Sequence, residues 1–155
     1  MELDGAFFAA ALSASGVGIP GVERLAADTG GARGVWEADA EILRRRLDEK
    51  AVAALLALRR EKPDLPERIA EACAKRNIRI WTRDDESYPA ILREIARPPL
   101  VLFARGNPVP DAARIAVVGS RHASPYGKRV SEEISMGLAS RGVTVVSGAA
   151  RGVDS

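Results

Sequence analysis

The run Arg114-Ile115-Ala116-Val117-Val118 constrains the fold more than any other stretch. A continuous β-branched apolar run of this kind suits a strand in the middle of a parallel sheet, covered on both faces. Ser124 with Pro125 beside it is a helix start, the helix is expected through Val130, Ile134 and Leu138, and Gly142 supplies a left-handed stop. Val143-Thr144-Val145-Val146 is the following strand. Strand, helix and strand at this spacing predict a βαβ unit, whose crossover is right-handed in nearly all known cases.

The residues upstream behave differently. The first 60 or so carry helical periodicity without a convincing strand, broken at Gly16-Val17-Gly18-Ile19-Pro20-Gly21 and again from Asp28 to Gly34. Leu43, Leu47, Val52, Leu55 and Leu58 recur at near-helical spacing, with Arg44, Arg45, Arg46, Arg59 and Arg60 on other faces, where they read as a solvated surface. The charged segment Glu61 to Pro66 holds two prolines and predicts the domain limit, giving a helical domain over 1–63 and an α/β domain over 64–155. Asp64 is the expected cap of a helix over 66–76, with Asn77 as its stop. Ile78 to Trp81 then alternates like a short strand, Ser87 to Ile95 reads as a short helix, and Leu100 to Ala104 reads as a buried strand closed by Gly106-Asn107-Pro108.

The fold class that follows is α/β: a parallel sheet of about four strands, incomplete because the chain ends inside it, preceded by a small all-α domain. A sheet cut at that point exposes an apolar edge and uncovered faces. The chain is therefore expected to be part of a longer protein or to associate with another copy.

Composition narrows the chemistry. A single cysteine, Cys73, excludes an internal disulfide and reads as a small buried apolar residue on a helix. One histidine, His122, has no cysteine or carboxylate partner in its motif, and no paired carboxylates stand out, so neither nucleophilic nor acid–base catalysis is expected, and no metal or cofactor. No basic stretch precedes an apolar one at the N-terminus and no apolar run approaches the roughly 20 residues that span a bilayer, which predicts a cytoplasmic protein without a membrane partner.

What remains is a pair of loops. Each central strand ends in small residues followed by an arginine: Gly119-Ser120-Arg121 after the first, and Ser147-Gly148-Ala149-Ala150-Arg151-Gly152 after the second. In a parallel sheet both lie at the carboxyl edge, where ligands bind. Small residues let an anion approach the backbone N–H groups, the hydroxyls of Ser120, Ser124 and Ser147 add donors, and Arg121 and Arg151 supply forked, permanently charged groups suited to phosphate oxygens. From Arg114 onward six basic residues face Glu132, Glu133 and Asp154, a local excess of +3 against +2 for the whole chain. Lys128 and Arg129 fall in the first turn of the helix, where the dipole disfavours them unless an anion lies nearby; the alternative is two tolerated surface cations. Tyr126 is read either as packing on the adjacent loop or as a platform for a base. The loops lack the lysine of a Walker loop and the spacing of a dinucleotide fingerprint.

At these residues the sequence resembles the DNA-processing protein A family, also called Smf. The family's Gly-Ser-Arg, Ser-x-Tyr-Gly and Ser-Gly-x-Ala-x-Gly-Ile-Asp stand here as Gly119-Ser120-Arg121, Ser124-Pro125-Tyr126-Gly127 and Ser147 to Asp154, with Val153 in place of isoleucine. Asp85 to Tyr88-Pro89, Leu92, Pro98-Pro99 and Gly106 are similar to its upstream signatures, and Gly16-Val17-Gly18 to the glycine turn of its helix-hairpin-helix or sterile-alpha-motif-like domain. The resemblance implies a Rossmann-like domain and a cytosolic protein that binds single-stranded DNA, protects it and helps load a RecA-type recombinase during natural transformation. It implies a homodimer in the full-length form and no turnover. By motif position, Ser120 and Arg121 would grip backbone phosphate, with Lys128 and Arg151 nearby. The competing reading is a nucleotide-binding enzyme of the lysine-decarboxylase-like or phosphoribohydrolase group, which requires a later Pro-Gly-Gly-x-Gly-Thr motif. A third places the work in the helical domain, as a protein-interaction module.

Overall fold

Helix α1 (Gly5–Ala14) organises the N-terminal half. Asp4 caps it, its carboxylate accepting the Ala6 N–H at 3.1 Å. Its sequence is apolar on every side, and a helix of that kind has to be central. Ala6, Phe8, Ala9, Ala10, Ala11 and Leu12 are all buried, and the alanines let neighbours approach closely. Around it fold α2 (Ile19–Thr29), α3 (Ala32–Glu37), α4 (Ala40–Arg44), α5 (Glu49–Glu61) and α6 (Leu65–Arg76). Val22, Leu25, Val35, Leu43, Val52 and Leu55 close the core with Phe8 and Leu12. The computed structural model that shows this describes residues 4–107 and 113–154; Pro108 of the expected strand stop lies outside them.

The local chemistry accounts for most element ends. Asp39 and Asp48 cap α4 and α5 by accepting the N–H groups of Ile42 at 2.9 Å and Ala51 at 2.8 Å. Asp48 thereby splits the expected continuous helical stretch across Leu43 to Leu58 into two. Gly30 closes α2 at φ 78°, and Asn77 closes α6 at φ 52°, both in the left-handed region. Asp64 sits at the cap position of α6, but its side chain accepts no hydrogen bond there, contrary to expectation. Gly34, placed in a break by the sequence, lies inside α3. The arginines expected on a solvated face have partners: Arg46 pairs with Asp28 at 2.8 Å, Arg44 with Glu49 at 2.8 Å, and Arg59 donates to the Ala38 carbonyl. The hydrogen bond from Arg46 holds the Asp28 carboxyl below the usual carboxylate range. Cys73 is free and buried, and burial pushes its thiol up.

Strands β1 (Ile78–Thr82) and β2 (Val101–Arg105) pair antiparallel, with Ile80 opposite Phe103. Strands β3 (Arg114–Ala116) and β4 (Thr144–Val146) pair parallel, with Ile115 opposite Val145. The described strands thus form two two-stranded sheets, and the single parallel sheet of about four strands is corrected accordingly. The reason is the connection. A parallel crossover needs a covering helix, whereas the β1–β2 connection holds only α7 (Ala90–Arg93), much shorter than the helix expected over 87–95. The segment instead buries Tyr88, whose hydroxyl donates to the Pro99 carbonyl at 2.9 Å. That bond joins the two proline signatures seen in the sequence. Tyr88→Phe is expected to cost about 1–2 kcal/mol, since it leaves the Pro99 carbonyl without its donor; urea unfolding followed by the fluorescence of Trp36 and Trp81 measures it.

The chain divides into two compact units, Met1–Gly106 and Asn107–Ser155, and the division does not fall at the expected limit after residue 63. Helix α6 and the β1–β2 hairpin pack on α1, with Ile69, Ile80, Leu100 and Val101 meeting Ala9 and Ala10, which joins them to the first unit. In the second unit, α8 (Pro125–Ala139) connects β3 to β4, and Gly142 turns the chain at φ 76°. The overall α/β class with a helical beginning is as expected. The degree of burial is not: β3 is exposed along its length, with Ile115 44% accessible, and Val118 just beyond it is 69% accessible. Among the described residues one helix serves this two-stranded sheet, too little to cover both of its faces.

Candidate anion-binding edge

The two loops do lie together at the carboxyl ends of β3 and β4. Gly152, at φ 101°, fits against the first loop so closely that a Cβ there would stand 2.1 Å from the Ser120 carbonyl oxygen and 2.8 Å from the Arg121 Cα. The Val153 N–H donates to that same Ser120 carbonyl at 3.2 Å. Gly119 is equally confined, since a Cβ there would meet the Val153 side chain at 2.8 Å. The glycines therefore serve loop-to-loop contact.

Three of the loop amides have acceptors within the protein. Gly119 N–H donates to Asp154 Oδ1 at 3.0 Å, His122 N–H to Ser120 Oγ at 3.1 Å, and Ala149 N–H to Ser147 Oγ at 3.1 Å. Ser147 Oγ also donates to the Asp154 carbonyl at 2.6 Å, so its hydroxyl is fully engaged and shapes the loop instead of offering a donor. Gly148 lies beside the Asp154 carboxylate, with 3.1 Å between Oδ2 and a Cβ placed on it. At the start of α8, Ser124 Oγ accepts the Gly127 N–H at 3.1 Å, the Lys128 N–H returns to the Ser124 carbonyl at 3.0 Å, and Pro125 has no N–H to offer.

Side chains are what the edge presents outward. Arg121, Lys128 and Arg151 are exposed, and none of their side chains has a hydrogen bond or ion pair to another described residue. Ser120 and Ser124 accept through their oxygens and keep their own hydroxyl protons to donate. No acidic residue stands in the first turn of α8, so the helix dipole meets only cations there. Tyr126 is 68% exposed, and the Arg129 guanidinium lies 5.8 Å from its ring centroid. That pairing follows from the three-residue spacing on a helix face and was legible in principle. A cavity of about 480 Å³ adjoins the edge, lined among others by Val117, Lys128, Ser131, Ser147 and Asp154. His122 is exposed. Among the described residues no group of three or more acidic, histidine or cysteine side chains could hold a metal, and no helix is long and apolar enough to cross a membrane.

A largely helical unit followed by a strand–helix–strand unit makes an α/β protein, and its exposed cations stand at the carboxyl edge, where sheets of this kind bind ligands. Comparison with known proteins gives the lineage. Residues 79–155 match the family described as DNA recombination-mediator protein A, and the chain belongs to this family. It is 33% identical over 107 residues to DNA processing protein DprA of Bacillus subtilis, covering 68% of this chain and 36% of that protein. It is also 34% identical over 97 residues to protein Smf of Synechocystis, covering 57% of this chain and 24% of that one. The chain spans about a third or less of the length of these relatives. The X-ray structure of DNA processing protein A from Streptococcus pneumoniae has the same fold over 99% of this chain and 52% of its own, with a TM-score of 0.64 at 23% identity.

Proposed function

We propose that the carboxyl edge of the second unit binds the phosphate backbone of single-stranded DNA, in a protein that processes DNA for recombination during natural transformation. The observation that carries this is the set of three exposed, unpaired cations, Arg121, Lys128 and Arg151, on the two abutting loops and the first turn of α8. The hydroxyls of Ser120 and Ser124 add neutral donors, and Tyr126, exposed beside Arg129, offers a face for an unstacked base. Gly119, Ser147 and Gly148 take part by holding the loops in register. The edge binds without turnover. Membership of the recombination-mediator family supports this reading over the lysine-decarboxylase-like or phosphoribohydrolase alternative. Protection of the bound strand, hand-over to a RecA-type recombinase and homodimerisation of the full-length form belong to the same proposal.

Anisotropy of a fluorescent oligothymidylate, titrated with the chain at several salt concentrations, tests it. Three phosphate contacts on a single strand predict a slope of roughly −2 in log K against log salt. Absent or salt-insensitive binding would remove the proposal.

A further inference from the structure

We infer that Asp154 is the positioning residue of this edge, clipping its two loops at a fixed spacing; the inference rests on the reading of the edge as a DNA-phosphate site. The residue reaches both loops at once. Its carboxylate Oδ1 accepts the Gly119 N–H of the first loop at 3.0 Å, and its backbone carbonyl accepts the Ser147 hydroxyl of the second at 2.6 Å. The neighbouring residues complete the contact, Val153 through its N–H to the Ser120 carbonyl and Gly152 by its close approach to the Arg121 backbone. Arg121 and Arg151 both leave from the clipped segments, so the clip fixes how far apart their guanidinium groups start.

A carboxylate is an unexpected group to find here. Its charge opposes an anionic ligand, and it occupies an amide that a phosphate could otherwise take. Charge and geometry therefore act in opposite directions at one residue, and they can be separated. Asp154→Asn keeps an acceptor oxygen for Gly119 and removes the charge. Asp154→Ala removes both.

The test compares the full chain with these two variants in two measurements. The first is oligothymidylate anisotropy across salt. The second, without DNA, is hydrogen exchange of the peptide containing Gly119, read by mass spectrometry. Asp154→Ala is expected to speed exchange of that peptide about tenfold, because the amide loses its partner. It should weaken binding about tenfold and shrink the salt slope by about one phosphate's share, as one arginine falls out of register. Asp154→Asn is expected to keep the parent exchange rate and slope and to bind at least as tightly. If Asp154→Ala leaves exchange and slope unchanged, or if Asp154→Asn fails as Asp154→Ala does, the clip is overturned. Should the parent chain not bind DNA at all, the functional reading falls, and the exchange comparison alone supports or overturns the clip.

Discussion

Replacing Arg121 and Arg151 together with alanine is expected to weaken oligothymidylate binding about 100-fold at about 50 mM salt. On the proposed reading each arginine contributes a charge-assisted hydrogen bond to phosphate, worth about 1.5 kcal/mol, and two such losses multiply to that factor. The salt slope should shrink by about 1.4, the share of two phosphates on a single strand. Both guanidinium groups are exposed and lack partners among the described residues, so their removal should leave the unfolding curve where it was. The double lysine variant discriminates further. It should keep the slope, since the charges remain, and lose part of the affinity, since an ammonium cannot form the forked pair of hydrogen bonds. Unchanged affinity and slope in the alanine variant would show that these arginines do not touch the ligand.

The second large effect concerns stability and lies far from that edge in sequence. Leu25→Ala is expected to cost about 3–4 kcal/mol, a substantial part of the 5–15 kcal/mol typical of a domain. Leu25 is fully buried, surrounded by the core side chains of the first unit, and deleting its branched end leaves a void that helices held at both ends cannot close. Ile134→Ala, an aliphatic truncation on α8, should cost under about 0.5 kcal/mol because the residue is 53% exposed. Urea titration of both variants by circular dichroism, with Trp36 fluorescence following the first unit, measures the contrast. Equal costs at the two positions would mean that Ile134 is covered in solution.

How legible this was depends on the range of the interaction involved. The βαβ unit and its limits could be read from Ser124, Gly142 and two runs of β-branched residues, because caps and strand propensity act locally. The central position of α1 was not read, although its sequence states it: a helix with alanine and phenylalanine on all sides has no surface to give to water. The antiparallel turn from β1 to β2 also escaped, because strand direction is decided by the connection. There the expected helix over 87–95 gave way to the burial of Tyr88. At the candidate edge the exposed cations Arg121, Lys128 and Arg151 and the meeting of the two loops agree with the sequence reading, which rested on strand ends. The bond from Gly119 to Asp154 could not be foreseen, since the two are 35 residues apart in the chain, whereas those of His122 and Ala149 to serines two residues before them are local turn chemistry.

The amides of Gly119, His122 and Ala149, partnered within the protein, have a bearing on selectivity. A concavity of free N–H groups measures one ion: its radius, its oxygens, its terminal or bridging character. On the proposed reading, an edge on which several of those N–H groups are already partnered, and whose long cationic side chains reach outward, responds to linear charge density instead. It gains little from any single phosphate and accumulates affinity with each added one. On the proposed reading, such a surface would discriminate polymers from their monomers by counting, even among free nucleotides.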